Sequence, residues 1–167
     1  MQIKKRWTTK AGYAAVVLWV RDSHHCGYVR VPENHPFYKK EYNDHLDMGL
    51  WDKILNSEKV FRGSPMDLLI GSMDKEEGLG PRISYLFDVH GGITFGNHIQ
   101  AKEFNENDWY FGYDCAHYND ITEYMKKDPE IMSFKGEATF KDLDFCIQEC
   151  ESLADQLKQF EGYNGNG

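Results

Sequence analysis

Long apolar runs are missing from this 167-residue chain. The longest, Tyr13 to Val20, falls well short of the roughly 20 residues that a membrane-spanning helix needs. That excludes a spanning segment and leaves a buried strand as the reading. No small-residue cleavage site follows the basic start Met1-Gln2-Ile3-Lys4-Lys5-Arg6-Trp7, so no secretory signal is expected and the cytosol is the default compartment.

Positive charge is scarce as well: 19 Lys and Arg stand against 27 Asp and Glu, a formal net charge of −8. A protein that tracks nucleic-acid phosphates needs a basic surface. Residues 4–6 and Lys39-Lys40 are too few to make one, which excludes a general nucleic-acid binder. A small anionic ligand held by a few donors stays open, because that depends on local charge. Cysteines number four and form no framework. Cys26 and Cys115 fall in strand-like segments. Cys146 and Cys150 share a helix face with Leu143, Leu153 and Leu157 and read as small core hydrophobes. A zinc pair at that spacing lacks two further local ligands, and no disulfide is expected in a cytosolic chain. Internal repeats and a second domain are absent, so residues 1–167 are read as a single domain.

What the chain does have is apolar and aromatic side chains, 41% and 14% of the total, enough for a substantial core. Residues 12–20 are β-rich and apolar on both faces and predict a central strand. Arg21–His25 is turn-like, and Cys26–Val31 returns as a second strand. Pro32 and Pro36 bracket a loop, and residues 37–42 open a short helix. Residues 43–81 are polar and punctuated by glycine and proline, which predicts an irregular insertion or flap. Ile83–His90 reads as a third strand, Gly91–Gly96 as a turn and a fourth, and Asp108–Cys115 as a fifth. A short helix over Ile121–Lys127 is expected to stop near Pro129. Thr139 with Asp142 resembles a capping box for an amphipathic helix of some 20 residues, ending near Gly162, with 163–167 as a frayed tail. The fold class is α+β, a mostly antiparallel sheet covered on one face by the C-terminal helix.

Two polar stretches end apolar strands, and there a sheet presents chemistry. The first is His90-Gly91-Gly92 and the second is Asp114-Cys115-Ala116-His117-Tyr118-Asn119-Asp120. Asp114, His117 and Asp120 stand three apart and converge if the segment turns, with His90 as a fourth group. Two histidines and two carboxylates suit Zn²⁺, Mn²⁺ or Fe²⁺, with weakly held Mg²⁺ the other candidate, and such a metal would activate water. Without metal, His90, Asp114 and His117 are candidate catalytic acids and bases. The plainer alternatives are an N-cap at Asp120 or Asn119 and a turn carboxylate at Asp114.

Gly91 and Gly92 either supply positive φ for a hairpin or lay their N–H groups against a ligand oxygen, with the Thr94 hydroxyl beside them. His35, held between two prolines, is a candidate assisting acid or base, with a structural turn as its alternative. Arg30 is the candidate anion fork. Tyr113, on the aromatic strand, offers a ring for stacking a base. His24, His25, His45 and His98 have no evident partner and read as surface.

The segments Cys-Gly-Tyr-Val-Arg-Val-Pro-Glu-Asn-His-Pro-Phe-Tyr (26–38), Val-His-Gly-Gly-Ile-Thr-Phe (89–95) and Trp-Tyr-Phe-Gly-Tyr-Asp-Cys-Ala-His-Tyr-Asn-Asp (109–120), with the C-terminal helix, resemble a family of small bacteriophage and prophage proteins. Where that family often has glycine before the final aspartate, this chain has Asn119, which also tolerates left-handed geometry. The resemblance implies a phage accessory protein in the host cytoplasm and carries over no catalytic role. Three functions follow as expectations. The first is a small hydrolase, metal-dependent or not, acting on a phosphate- or nucleotide-type molecule. The second is a binding protein that sequesters a nucleotide-like host defence signal. The third is an inhibitor that docks on a host protein through its acidic surface. A homo-oligomer stays open.

Overall fold

The computed structural model describes residues 1–57 and 79–163. Its main sheet has five strands: β1 (Gln2–Thr8), β2 (Ala14–Val20), β3 (His24–Val31), β6 (Phe95–Asn97) and β7 (Trp109–Asp114). They lie in the order β1-β2-β3-β7-β6, and every neighbouring pair is antiparallel. A second, two-stranded antiparallel ladder joins β4 (His45–Asp47) to β5 (Leu79–Arg82). Helix α1 (Met48–Leu55) follows β4, α2 (Pro129–Lys135) follows a single 3₁₀ turn at Met125–Lys127, and α3 (Leu143–Lys158) packs across β3 and β2. This is the expected α+β architecture. Among the described residues, no helix is long and apolar enough to cross a membrane.

Strand alternation explains the two layers of the core. Val17, Val29, Val31, Phe111 and Tyr113 face the helix and meet Cys146, Cys150, Leu153 and Leu157. Val16, Leu18 and Tyr110 point the other way, where Ile99 covers them. Because β2 and β3 are buried on both faces, they sit in the middle of the sheet, as an apolar run with no polar side must.

Four sequence expectations change. Residues 83–90 form no ladder strand. Ile83–Leu86 is one 3₁₀ turn that buries Ile83 and Leu86, three residues apart, and Ser84 N–H is taken by the Tyr42 carbonyl. An apolar run of that length fits a turn or a strand equally well. The fifth strand is instead β1, a basic and largely exposed edge whose register shifts between Ile3 and Lys5. A shift and lysines are how proteins blunt an open edge.

Pro129 starts a helix rather than stopping one. Asp128 caps it by accepting from Glu130 and Ile131 N–H, and proline at the first helical position loses no hydrogen bond. Residues 37–42 form turns and no helix. The cap of α3 is Asp142, whose carboxylate accepts from Phe145 N–H, and α3 runs for 16 residues. Thr139 instead bridges in parallel to Asp120, donating its N–H to Asn119 and accepting from Ile121.

Within the stretch expected to be an irregular insertion, residues 45–55 and 79–82 are regular elements, while 58–78 lie outside the described residues. Of the expected frayed tail, only Tyr163 is described.

Candidate functional site

The polar residues after β7 are organised by a tight turn. Asp114 accepts from Ala116 N–H at 3.0 Å, which reverses the chain. Asp120 N–H then donates to the His117 carbonyl at 2.9 Å, and His117 N–H donates to Asp120 Oδ2 at 2.8 Å. These reciprocal bonds, together with the Thr139 bridge, draw the Asp120 side chain wholly inside the protein.

Into the same space comes His90 from the turn before β6. Gly92 N–H donates to the Val89 carbonyl at 2.9 Å, and Gly91 has φ of +68°. A positive φ at the third turn position is what a type II turn demands. Gly91 is also required by packing, since a Cβ there would stand 2.0 Å from His117 Nε2. The His90 main-chain N–H is anchored to Glu149 on α3 at 2.8 Å. Its ring packs edge-on against Phe145, centroids 5.2 Å apart, and T-shaped against His117 at 5.6 Å.

His90 Nε2 lies 2.9 and 2.8 Å from the two Asp120 oxygens. Lys141 Nζ stands 3.5 Å from Asp120 Oδ1. Burial alone would raise the Asp120 carboxyl. The bonds from His90 and from His117 N–H, with the charges of His90 and Lys141, outweigh burial and hold it below the ordinary carboxylate value. The carboxylate is thus a buried anion held by hydrogen bonds from His90 and His117 N–H, with Lys141 as the positive charge beside it. On the solvent side, Asp114 Oδ1 is 3.6 Å from His117 Nε2, and Thr94 Oγ1 donates to Asp114 Oδ2 at 3.3 Å. The His117 Nε2 atom is buried and has no hydrogen-bond partner among the described residues.

The structure therefore gathers His90, Asp114, His117 and Asp120, with Thr94 beside them. They stand as two pairs and not as one four-ligand centre, because Asp120 is bound to His90 and to the turn backbone. Among the described residues, no three His, Cys, Asp or Glu side chains are placed to share one metal ion. Gly92 N–H closes its own turn and is not offered to a ligand.

Three expected site residues lie elsewhere. His35 is buried in the core, where Nδ1 accepts from Phe37 N–H at 3.1 Å and Nε2 donates to the Leu157 carbonyl at 2.8 Å. Both ring nitrogens are engaged within the protein, away from the His90 cluster. Tyr113 faces α3, 1% exposed, and donates to the Cys146 carbonyl at 2.7 Å, so its ring is not available for stacking. Arg30 pairs with Asp108 at 2.7 Å. It stands opposite Tyr110, four residues and about 13 Å along β7 from Asp114, too far to serve the same ligand.

Sequence reasoning missed Lys141, Glu149, Phe145 and His25. Phe145 and Glu149 are four apart on α3, one face of a helix, which is a usable signal. Lys141 carried none, because the Asp120–Thr139 bridge is what brings it in. His25 was read as surface but is 6% exposed, and its Nδ1 lies 3.0 Å from the Lys141 carbonyl.

A groove of about 430 Å³ adjoins the glycine turn, lined by residues 84, 85, 87–89 and 91–93. It borders the cluster through Gly91 and Gly92, and the side chains of His90, Asp114, His117 and Asp120 do not line it. Comparison with protein-family models, with curated proteins and with solved structures returns no match.

Proposed function

We propose that this chain is a small hydrolase acting on a phosphate- or nucleotide-type molecule, with His90 as its general base. The observation that carries the reading is the fully buried Asp120 carboxylate bonded to His90 Nε2 at 2.8 Å. A carboxylate so placed fixes the tautomer: Nε2 holds the proton and Nδ1 keeps the lone pair. Among the described residues, nothing hydrogen-bonds Nδ1. Nδ1 takes a proton from water as the water oxygen attacks phosphorus, and the P–O bond to the leaving group breaks. The leaving oxygen takes a proton from the imidazolium or from solvent, and Asp120 stabilises the imidazolium in between. The groove beside Gly91 and Gly92 receives the substrate. The resemblance of three motifs to phage and prophage proteins supports an accessory role in the host cytoplasm.

The test is an assay of tag-free protein on p-nitrophenyl phosphate, its bis ester and a set of nucleoside phosphates, with and without Mn²⁺. Turnover is expected for the wild type, with a loss of at least about 10²-fold in His90→Gln and in Asp120→Asn. A folded wild type that turns over none of these substrates refutes the reading. One observation favours a second reading, sequestration without cleavage: Tyr118, beside His117, and Tyr124 are 74% and 62% exposed. A base can stack on Tyr124 or on the face of Tyr118 opposite Lys135 Nζ, which lies 5.3 Å from that ring's centroid. Binding of a nucleotide without turnover would select it.

A further inference from the structure

Among the described residues near His90, the fold leaves one buried side-chain polar atom without a hydrogen-bond partner, His117 Nε2. It is buried with no hydrogen-bond partner, and such atoms are rare in native proteins unless a water or an ion completes them. Gly91 is what lets it sit there, since any side chain at that position would occupy the place of the imidazole nitrogen. Its nearest charged neighbour is Asp114 Oδ1 at 3.6 Å, beyond a normal hydrogen bond. Two ligands of one ion, each about 2.0–2.2 Å from it, stand roughly 3–3.5 Å apart, so this separation is close to that of a pair bridged by a cation.

We propose that Asp114 and His117 together bind one divalent cation of the Mn²⁺ or Zn²⁺ type, with water in its remaining positions. Imidazole nitrogen with carboxylate oxygen suits those ions, and two protein ligands leave two positions of a tetrahedral shell, or four of an octahedral one, to water, a labile site and not a structural zinc centre. Electrostatics favour it. Asp114 is about one-third exposed and lies on the solvent side of the cluster, while Lys141 faces Asp120 and Lys135 Nζ is held by the Tyr118 carbonyl at 2.7 Å. Asp114 Oδ2 is steadied by the Thr94 hydroxyl and Oδ1 by Ala116 N–H, which orients the carboxylate without a second charged partner.

The ion would also solve a problem of substrate class. The groove carries Asp88, the neighbouring cluster carries Asp114 and Glu149, and Gly92 N–H closes its own turn, so a bound cation would supply the positive charge that a phosphate needs. This last step rests on the hydrolase reading. The cation site does not.

The experiment is a titration of tag-free, ¹⁵N-labelled full chain with Mn²⁺, followed by paramagnetic broadening of amide signals, with Zn²⁺ affinity measured by calorimetry. Broadening centred on residues 91–94 and 114–118 is expected, with one Zn²⁺ per chain. Asp114→Asn keeps the turn acceptor and His117→Ala removes the nitrogen, and each should weaken Zn²⁺ binding by about tenfold or more. His90→Gln should leave it within about twofold, since His90 faces Asp120. Absence of localised broadening overturns the inference, as does Zn²⁺ binding that ignores both Asp114→Asn and His117→Ala. Intact cation binding without hydrolysis in the wild type would instead overturn the hydrolase reading and leave the cation site standing.

Discussion

Replacing His35 separates a structural histidine from a chemical one. Its Nε2–H holds the Leu157 carbonyl at the end of α3, where the last carbonyls of a helix have no partner within the helix. Its Nδ1 receives the Phe37 N–H, and its ring packs against Phe37 and Tyr13 at centroid separations of 5.1 and 6.3 Å. His35→Ala removes both bonds, strands the Phe37 N–H and opens a cavity. An orphaned buried donor costs about 1–3 kcal/mol and the lost packing about 2 kcal/mol, so a loss of about 3–5 kcal/mol is expected. In a domain of this size that lowers the thermal midpoint by roughly 10 °C.

A pH dependence goes with it. Burial, opposed in part by the Leu157 bond and the Glu161 charge, pulls the His35 pKa below 6.5. The unfolded chain therefore takes up a proton below about pH 6.5 that the folded chain refuses, so this contribution to stability falls as pH drops, by up to about 1.4 kcal/mol per pH unit. His35→Gln has no such proton, and its stability deficit against wild type should shrink between pH 7.5 and 5.5. Urea denaturation of wild type, His35→Ala and His35→Gln at both pH values is the assay. A deficit under about 1 kcal/mol in His35→Ala, or one independent of pH in His35→Gln, would refute the account and restore His35 as a candidate for chemistry.

The two glycines of the turn should behave differently. Gly91→Ala meets His117 Nε2 and adopts a φ of +68°, so a loss of about 3 kcal/mol is expected in thermal denaturation. Gly92→Ala has φ of +81° but no heavy atom within 4 Å of the new Cβ, and should lose only about 1–2 kcal/mol. Equal losses would show that His117 does not occupy the space over Gly91. Tyr113→Phe removes a buried hydroxyl bonded to the Cys146 carbonyl and should cost about 1 kcal/mol by urea titration while leaving ligand binding unchanged. A weakened ligand with unchanged stability would return the ring to the site.

Legibility followed burial. β2, β3, β7 and α3 announce themselves because their apolar periodicity reflects a core they help to fill. β1 does not, because an edge strand exposed on nearly every residue has no pattern to read, and its conformation comes from pairing with β2. Pro129 was misjudged for a local reason: proline ends a helix from inside but begins one readily after a capping aspartate, and Asp128 stood directly before it. The four site residues could be named from spacing, since a strand end followed by a three-residue repeat must bring them near one another. Their pairing could not be named. Which carboxylate is buried is decided by the bridge between Asp120 and Thr139, and no periodicity in the chain records it.

That distinction bears on whether the cluster is a site or only a well-tied corner of the fold. His35, Tyr113 and Gly92 N–H all have their bonding capacity absorbed by the protein itself, as polar groups kept for stability do. The cluster is different. Among the described residues, Asp120 is saturated, yet it bonds the Nε2 of His90 and leaves Nδ1 without a partner, while His117 Nε2 and a partly exposed Asp114 oxygen face one another without a hydrogen bond. A corner selected for stability alone gains by closing those bonds, and a lysine as near as Lys141 is turned toward Asp120 instead of Asp114. Unfilled capacity on three neighbouring side chains, held in place by a fully satisfied buried carboxylate, is the arrangement that a ligand or a reaction completes.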